Sequence, residues 1–420
     1  MIGAFFVPLH SHNCICLILM NIHMKKLLLF ACLVAGTAWA AQPAHVVRAY
    51  NNPQGGYVLV DADNEVLAFS ETGVASADNL PLADFLRGNG MTLQVMQERL
   101  PQEIATDAEL EIVVAPLLGD IEYSQDAPYN DMTPIGPNEN GKMVHCVTGC
   151  VATAMAQIMA YWKYPEKSNY SGTMSYSTSY KIKEDGDATY KLDVALKYDT
   201  VVFDWSKILP RYEGVASTQE QRHQIALLML ACGVSVKMGY SPRSSGSSGS
   251  LLVAGALVDK FGYNKELKME SRSDFLDSEF IQILIDEFDS KRPVYCDAQY
   301  SGDNIKNFDG GHAFVIDGYA YAKTDTNKKK PYFHFNWGWG GKDQVGDPNL
   351  WYRLANKDIT PYANKMKIIR NIMPASMTPV EETLADNMQD GRIFDILGHE
   401  VQQTIPGQLY ISNGRKFIAR

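Results

Sequence analysis

The sequence predicts an α+β protein built around one two-lobed domain, a helical lobe followed by an antiparallel β lobe, with a small α+β module before it and a short β tail after it. Three observations predict this. Apolar runs of helical length fall near 150–162, 218–233 and 251–261. Short strand-like apolar runs dominate from Arg292 to Leu354. Turn signals mark both ends, Asp63-Asn64 between two strand-like runs and Asn413-Gly414 between two more.

Met24-Lys25-Lys26 precedes the apolar run 27–36, and Ala38-Trp39-Ala40 fits a small-x-small cleavage site, so 24–40 reads as an export signal cut after Ala40. Residues 1–23 add an apolar patch with Cys14 and Cys16 that such a signal does not need, and translation is expected to begin at Met24. Cys32 raises lipidation as an alternative. Phe30 fits poorly before a lipidated cysteine and the apolar run continues past it, which favours ordinary cleavage.

Residues 41–112 form the first mature piece, with strands at 55–61 and 65–70 and helices at 82–86 and 92–100. Residues 113–374 are long enough for the two-lobed domain, and a cleft between its lobes would set a helix-borne side chain opposite sheet-borne ones. The sheet lobe should use Arg292-Pro293-Val294-Tyr295-Cys296-Asp297-Ala298, the run after His312, the run before Asn336, and Leu350-Trp351-Tyr352-Arg353-Leu354. Residues 375–387 read as a polar linker, and 388–420 as a tail of short strands too small to hold much core alone.

The chain has 46% hydrophobic and 20% charged residues, and no apolar run of transmembrane length follows the signal, so no stable membrane span is expected. The net charge is −10 with no basic cluster, which argues against nucleic acid or anionic membrane as the main partner. No internal repeat and no phosphate-cradling glycine loop occurs. A monomer is expected.

The chemistry-bearing residues lie far apart in the chain. A thiol is mostly protonated at neutral pH and needs a cationic neighbour or a helix N-terminus to become a nucleophile. Cys150 is expected to have the second, because 151–162 reads as a buried, small-residue helix begun by Thr148 or Gly149 and stopped at Lys163-Tyr164-Pro165. His312 follows Gly310-Gly311 and opens a buried strand, where glycine allows close approach of substrate or backbone. Asn336 follows Tyr332-Phe333-His334-Phe335. Its carbonyl is expected to accept the imidazole N–H while Trp337 shields that bond. Gln125 is assigned one donor to an oxyanion, with the backbone N–H of Cys150 as the other. A cysteine before a distant histidine and then an asparagine is the order of papain-like peptidases. No metal or organic cofactor is required.

Each motif has a plainer reading. Cys232 and Cys296 sit in apolar runs as packing. Gly-Gly-His alone would be a turn, Asn336-Trp337-Gly338-Trp339-Gly340-Gly341 alone an aromatic corner, and the Ser/Gly run at 240–250 a flexible connector. His145, Cys146 and Cys150 could ligate zinc, but no second Cys/His pair is evident. Cys146 could be the nucleophile, but it precedes the Thr-Gly turn. After signal removal four cysteines remain, and no structural disulfide is expected in a domain of this size.

Taken together, Gln125-Asp126-Ala127-Pro128-Tyr129-Asn130, Thr148-Gly149-Cys150-Val151-Ala152-Thr153-Ala154, Gly310-Gly311-His312-Ala313-Phe314-Val315-Ile316-Asp317-Gly318 and Asn336-Trp337-Gly338-Trp339-Gly340-Gly341 resemble the streptopain family of secreted cysteine peptidases, in order from about Pro116 to about Pro374. The resemblance implies a papain-like two-lobed catalytic domain with Cys150 as nucleophile, His312 as base and acid, Gln125 as oxyanion donor, and Asn336 with Trp337 as orienting pair. It further implies a Ser/Gly loop beside the cleft, here at Ser245, Gly246 and Ser247, with Gly311 and Trp339 also meeting substrate. It implies protein or peptide substrates, an apolar residue next but one before the cut, and a zymogen whose propeptide, 41–112, acts as intramolecular inhibitor until a cut between Leu100 and Pro116. The tail 388–420 resembles the sorting domains of type IX secretion, which implies passage through a Gram-negative periplasm to the surface or beyond; its alternative is a docked hairpin. A cell-wall peptide amidase or transglutaminase-like acyltransferase could use the same Cys and His, and a non-enzymatic surface binder would not need all four residues.

Overall fold

The computed structural model describes residues 45–418 apart from 54, 71–72, 77, 79–81, 84, 87–90, 103, 105–108, 300–310, 341–349, 355–364, 378–392, 396–399, 402–408 and 413–414. The described residues belong to one compact unit; the expected signal and the segment before it lie outside them, as does most of the expected linker.

The N-terminal segment opens with the meander β1 (His45–Asn51), β2 (Tyr57–Val60) and β3 (Val66–Ser70). The turn between β2 and β3 falls where expected: Asn64 takes φ 65°, and the Asp61 carboxylate accepts the N–H groups of Asp63 and Glu65. Residues 82, 83, 85 and 86 are helical, also as expected. The helix expected at 92–100 is instead β4 (Met91–Met96), parallel to β1 with His45 opposite Met91 and Tyr50 opposite Met96. Met91 and Leu93 turn toward the core while Thr92 and Gln94 face out, a period of two that the open edge of β1 rewards.

Strand β5 (Leu110–Val114) spans the boundary expected at 112 and pairs with a later strand. The hairpin β6 (Ile135–Pro137) and β7 (Met143–His145) leads into α1 (Cys150–Trp162), whose left-handed cap Lys163 returns its N–H to Ala160 before Pro165 ends the helix. The long hairpin β8 (Thr173–Lys181) and β9 (Thr189–Lys197) was not expected, although its strict alternation of exposed and half-buried residues is the strand signal. Helix α2 (Gln219–Ser235) starts on a Thr218/Gln221 capping box, and α3 (Ser250–Phe261) stops at left-handed Gly262. Both match expectation. Then come β10 (Lys268–Ser271), an unexpected α4 (Asp277–Asp289), and the expected β11 (Val294–Gln299), β12 (Gly311–Ala322), β13 (Tyr332–Asn336) and β14 (Leu350–Arg353), with β15 (Met366–Arg370) after them.

These strands form one sheet in the order β10-β15-β11-β12-β13-β14-β3-β2-β1-β4, with β5 alongside β12. The N-terminal segment therefore extends the sheet of the main domain: β3 pairs antiparallel with β14, Phe69 opposite Trp351 and Ala68 opposite Tyr352. Alternation in β12 divides the core. Ala313 and Val315 face α1, α2 and α3; Phe314 and Ile316 face α4 and the N-terminal segment. A register shift between Ile316 and Gly318 then flips the parity, so Tyr319 and Tyr321 continue the second face. Asp317 sits at this irregularity, fully buried, bonded through its carboxylate to Leu118 N–H and to His334 Nδ1.

The tail forms a separate small sheet, β17-β16-β18-β19, from β16 (Ile393–Asp395), β17 (Glu400–Val401), β18 (Leu409–Ser412) and β19 (Arg415–Ile418). Ser412 pairs with Arg415 across β18 and β19, and the turn expected at Asn413-Gly414 lies outside the described residues.

Candidate active site

Cys150 is the first residue of α1, and Gly149 before it takes φ 88°, ψ 138°. A Cβ at Gly149 would lie 2.7 Å from Met238 Sδ and 2.9 Å from Ser245 O, so only glycine lets the chain turn into the helix here. No side chain caps this end, which leaves the first-turn N–H groups and the positive end of the helix dipole around the sulfur. Of the four cysteines among the described residues, Cys146, Cys232 and Cys296 are buried, and Cys150 alone keeps partial exposure. Burial pushes the Cys146 thiol up to about 12 and raises those of Cys232 and Cys296 as well, so none of the three is a ready nucleophile.

His312 begins the buried part of β12, opposite Ala298. Gly311 before it is obligatory, since a Cβ would fall 2.7 Å from Ala298 O. The imidazole Nε2 lies 2.8 Å from the carbonyl oxygen of Trp337. A carbonyl only accepts, so Nε2 carries the proton and Nδ1 of the neutral ring is left with the lone pair. The ring stacks on Trp339 at 5.1 Å and 7°, on Trp337 at 5.6 Å and 26°, and on Phe314 at 6.3 Å. This aromatic packing shields the Nε2 bond from water.

The Asn336 side chain builds the turn that follows β13. Its Oδ1 accepts Gly338 N–H at 3.1 Å and its Nδ2 donates to Ile121 O at 2.8 Å. The amide thus shapes the turn, and the turn presents a main-chain carbonyl to the imidazole. The physical reason is local: positive φ at Gly338 and Gly340 folds the 336–340 backbone sharply enough to bring its own N–H back onto Asn336.

Three segments meet around Thr153. Thr148 N–H donates to Gln125 O at 3.1 Å, Gly340 N–H to Tyr123 O at 3.0 Å, and Tyr123 N–H to Gln157 Oε1 at 3.2 Å. Thr153 bonds Gly149 O and Thr148 Oγ1, and its methyl would lie 2.9 Å from a Cβ at Gly338. The turn that holds His312 is therefore packed directly on the first turn of the Cys150 helix, with Gln125 beside both. Gln125 is 6% exposed. Thr153 and Gln157 were missed by sequence reasoning. Two polar residues four apart in an otherwise apolar helix were the available signal.

The Ser/Gly segment braces the nucleophile loop. Ser245 Oγ donates to Val147 O at 2.7 Å, Ser247 Oγ donates to Val236 O at 2.7 Å, and both backbone groups of Gly246 pair with Gly239. The side chains of Ser245 and Ser247 and the main chain of Gly246 are thus engaged internally, which holds the loop expected beside the cleft against the segment that carries Cys150. Gly311 is exposed and Trp339 half-buried, so both remain accessible. Among the described residues no group of three or more His, Cys, Asp or Glu side chains could hold a metal ion, and His145 Nδ1 lies 2.8 Å from Thr133 O.

Comparison with known proteins follows the same residues. The model of the peptidase C10 family matches residues 123–345. Streptopain of Streptococcus pyogenes is 36% identical over 283 residues, spanning 64% of this chain and 67% of that protein. The thiol protease/hemagglutinin PrtT of Porphyromonas gingivalis is 31% identical over 284 residues, 63% of this chain but 30% of its own. A prointerpain A fragment of Prevotella intermedia superposes with a TM-score of 0.56 at 25% identity, covering 78% of this chain and 96% of the fragment.

Proposed function

Because the chain belongs to the peptidase C10 family and is a cysteine-type endopeptidase, we propose that Cys150 and His312 carry out its chemistry as a thiolate-imidazolium pair. The thiolate of Cys150 attacks the peptide carbonyl carbon, and the oxyanion is held by the Gln125 side-chain amide and the Cys150 N–H. His312 Nδ1 gives its proton to the leaving amine as the C–N bond breaks. Water, losing a proton to the same nitrogen, then attacks the thioester, and Cys150 leaves as thiolate. The observation that carries this reading is the bond from His312 Nε2 to Trp337 O on a turn packed against the Cys150 helix, because it fixes which imidazole nitrogen is left for the sulfur.

The chain is a protease zymogen, as the likeness to prointerpain supports. The segment before β5 acts as inhibitor by adding β1–β4 to the sheet at β14, and its release follows a cut between Leu100 and Pro116. Among the described residues no helix is long and apolar enough to cross a membrane. Residues 24–40 direct export, and the tail directs passage through the outer membrane of a Gram-negative bacterium. Its substrates are proteins and peptides.

Expression from Ala41 with and without Cys150→Ala, followed by N-terminal mapping and casein hydrolysis, tests the chemistry. Retained cleavage by Cys150→Ala ends it. Deleting 388–420 should leave hydrolysis intact and trap the protein in the periplasm; normal export of the truncated chain removes the sorting role.

A further inference from the structure

We propose that Gln157 is a positioning residue for the reaction, an amide on the Cys150 helix that sets how far the Gln125 segment and the turn carrying Trp337 O stand from the sulfur. This rests on the cysteine-peptidase reading above. Cys150, Thr153 and Gln157 fall at positions i, i+3 and i+7 of α1 and so share one face of it. Gln157 is fully buried, and its Oε1 accepts the N–H of Tyr123 at 3.2 Å. Tyr123 O in turn accepts Gly340 N–H at 3.0 Å, and two residues further on Gln125 O accepts Thr148 N–H at 3.1 Å. A Cβ at Gly338 would lie 3.9 Å from Gln157 Nε2, so the same amide also packs against the middle of the turn.

Residues 121–124 belong to no helix or strand, so the Tyr123 N–H has no ladder partner and takes its acceptor from a side chain. This segment is tied to the turn twice: Asn336 Nδ2 donates to Ile121 O at 2.8 Å, and Gly340 N–H donates to Tyr123 O. Segment and turn thus form one body, and Gln157 ties that body to α1. The Tyr123 ring is fixed separately, packed on Tyr129 with centroids 5.5 Å apart; Tyr129 OH donates to Glu213, whose Oε1 would lie 3.1 Å from a Cβ at Gly340. What the Gln157 bond adds is the spacing between body and helix. Without its acceptor the body can move off α1, and Trp337 O moves with it, loosening the bond to His312 Nε2. Gln125 is displaced by the same motion. The plainer role, satisfying one buried N–H, would change how much enzyme folds but not how fast each folded molecule turns over.

The test uses the full chain after processing and Gln157→Met, which keeps the length of the side chain and removes the acceptor, with active sites counted by an epoxide thiol reagent. Counting sites excludes unfolded molecules. Turnover per counted site should fall by about 10–100-fold while KM stays within about twofold. The basic limb of kcat/KM should move to lower pH by about half a unit, because the imidazolium loses its hold on the carbonyl that favours the charged ring. Turnover per site within about twofold of the wild type, or a basic limb that does not move, overturns the proposal while peptidase activity stands. If the variant does not fold, hydrogen exchange on the processed wild type reads the same tie: the Tyr123 and Gly340 amides should exchange together with those of α1, and faster exchange at either overturns it. A wild type that neither takes up the epoxide nor cuts any peptide removes the proposed function as well.

Discussion

Gly338→Ala is the substitution that most directly separates the two halves of the site. Gly338 has φ 72°, and an added Cβ would lie 2.9 Å from Thr153 Cγ2. The left-handed conformation costs a non-glycine residue about 1–2 kcal/mol. Forcing a methyl against a second methyl in a packed interior costs about 1–3 kcal/mol more. The turn can escape only by moving off α1, which carries Trp337 O away from His312 Nε2, and kcat/KM should fall by about 10–100-fold while KM changes little. Thr153→Ser removes the opposing methyl and keeps the hydroxyl that bonds Gly149 O, so the double variant should regain the overlap portion but not the φ portion. A double-mutant cycle on kcat/KM and on the thermal midpoint should give a coupling of about 1–3 kcal/mol. Wild-type turnover in Gly338→Ala, or strict additivity with Thr153→Ser, would refute the claim that the Trp turn sits on the nucleophile helix.

Brief alkylation of the folded enzyme at neutral pH should modify Cys150 and spare Cys146, whose thiol is pushed up to about 12, and mass spectrometry locating the label on Cys146 counts against the assignment. Phe69→Ala removes the ring stacked on Trp351 at 6.5 Å and edge-on to Tyr332 at 5.5 Å, so the precursor should lose about 3–5 kcal/mol and mature faster, while the processed enzyme is unchanged. Equal maturation rates would show that β3 on β14 is not the clamp. Burial raises the Asp297 pKa above 3.8, so the folded state holds this proton more tightly than the unfolded chain and stability is lost as pH rises from 3.8 through the raised value. The thermal midpoint of Asp297→Asn minus that of the wild type should therefore grow with pH over that window; a flat or falling difference contradicts it.

Most of the candidate site's local structure was legible because it depends on local pattern. The run from Val151 to Trp162 has the composition of a buried helix with a breaker after it, and its limits in the fold are those the sequence marks. Gly311 and Gly149 each sit where a Cβ would strike main chain, so the glycines beside the two reactive residues were informative. The residues from Met91 to Met96 were misread because their apolar positions also suit a helix, and only the open edge of β1 decides for a strand. Asn336 was identified as part of the site, but its partner was not. Whether an amide reaches an imidazole or its own turn depends on backbone dihedrals that the letters leave open.

What the sequence by itself determined is chemical: a cysteine able to start a helix, a histidine able to start a buried strand, and an amide-and-tryptophan turn to follow, in fixed order. The tertiary structure decided the rest. It set the Trp337 carbonyl against the His312 imidazole, turned the Ser/Gly segment into a brace, and joined the N-terminal segment to the main sheet through a pair between β3 and β14. The physical reason is the same in each case. Hydrogen-bonding groups and strand edges have several possible partners of similar strength, and close packing of distant parts of the chain selects one.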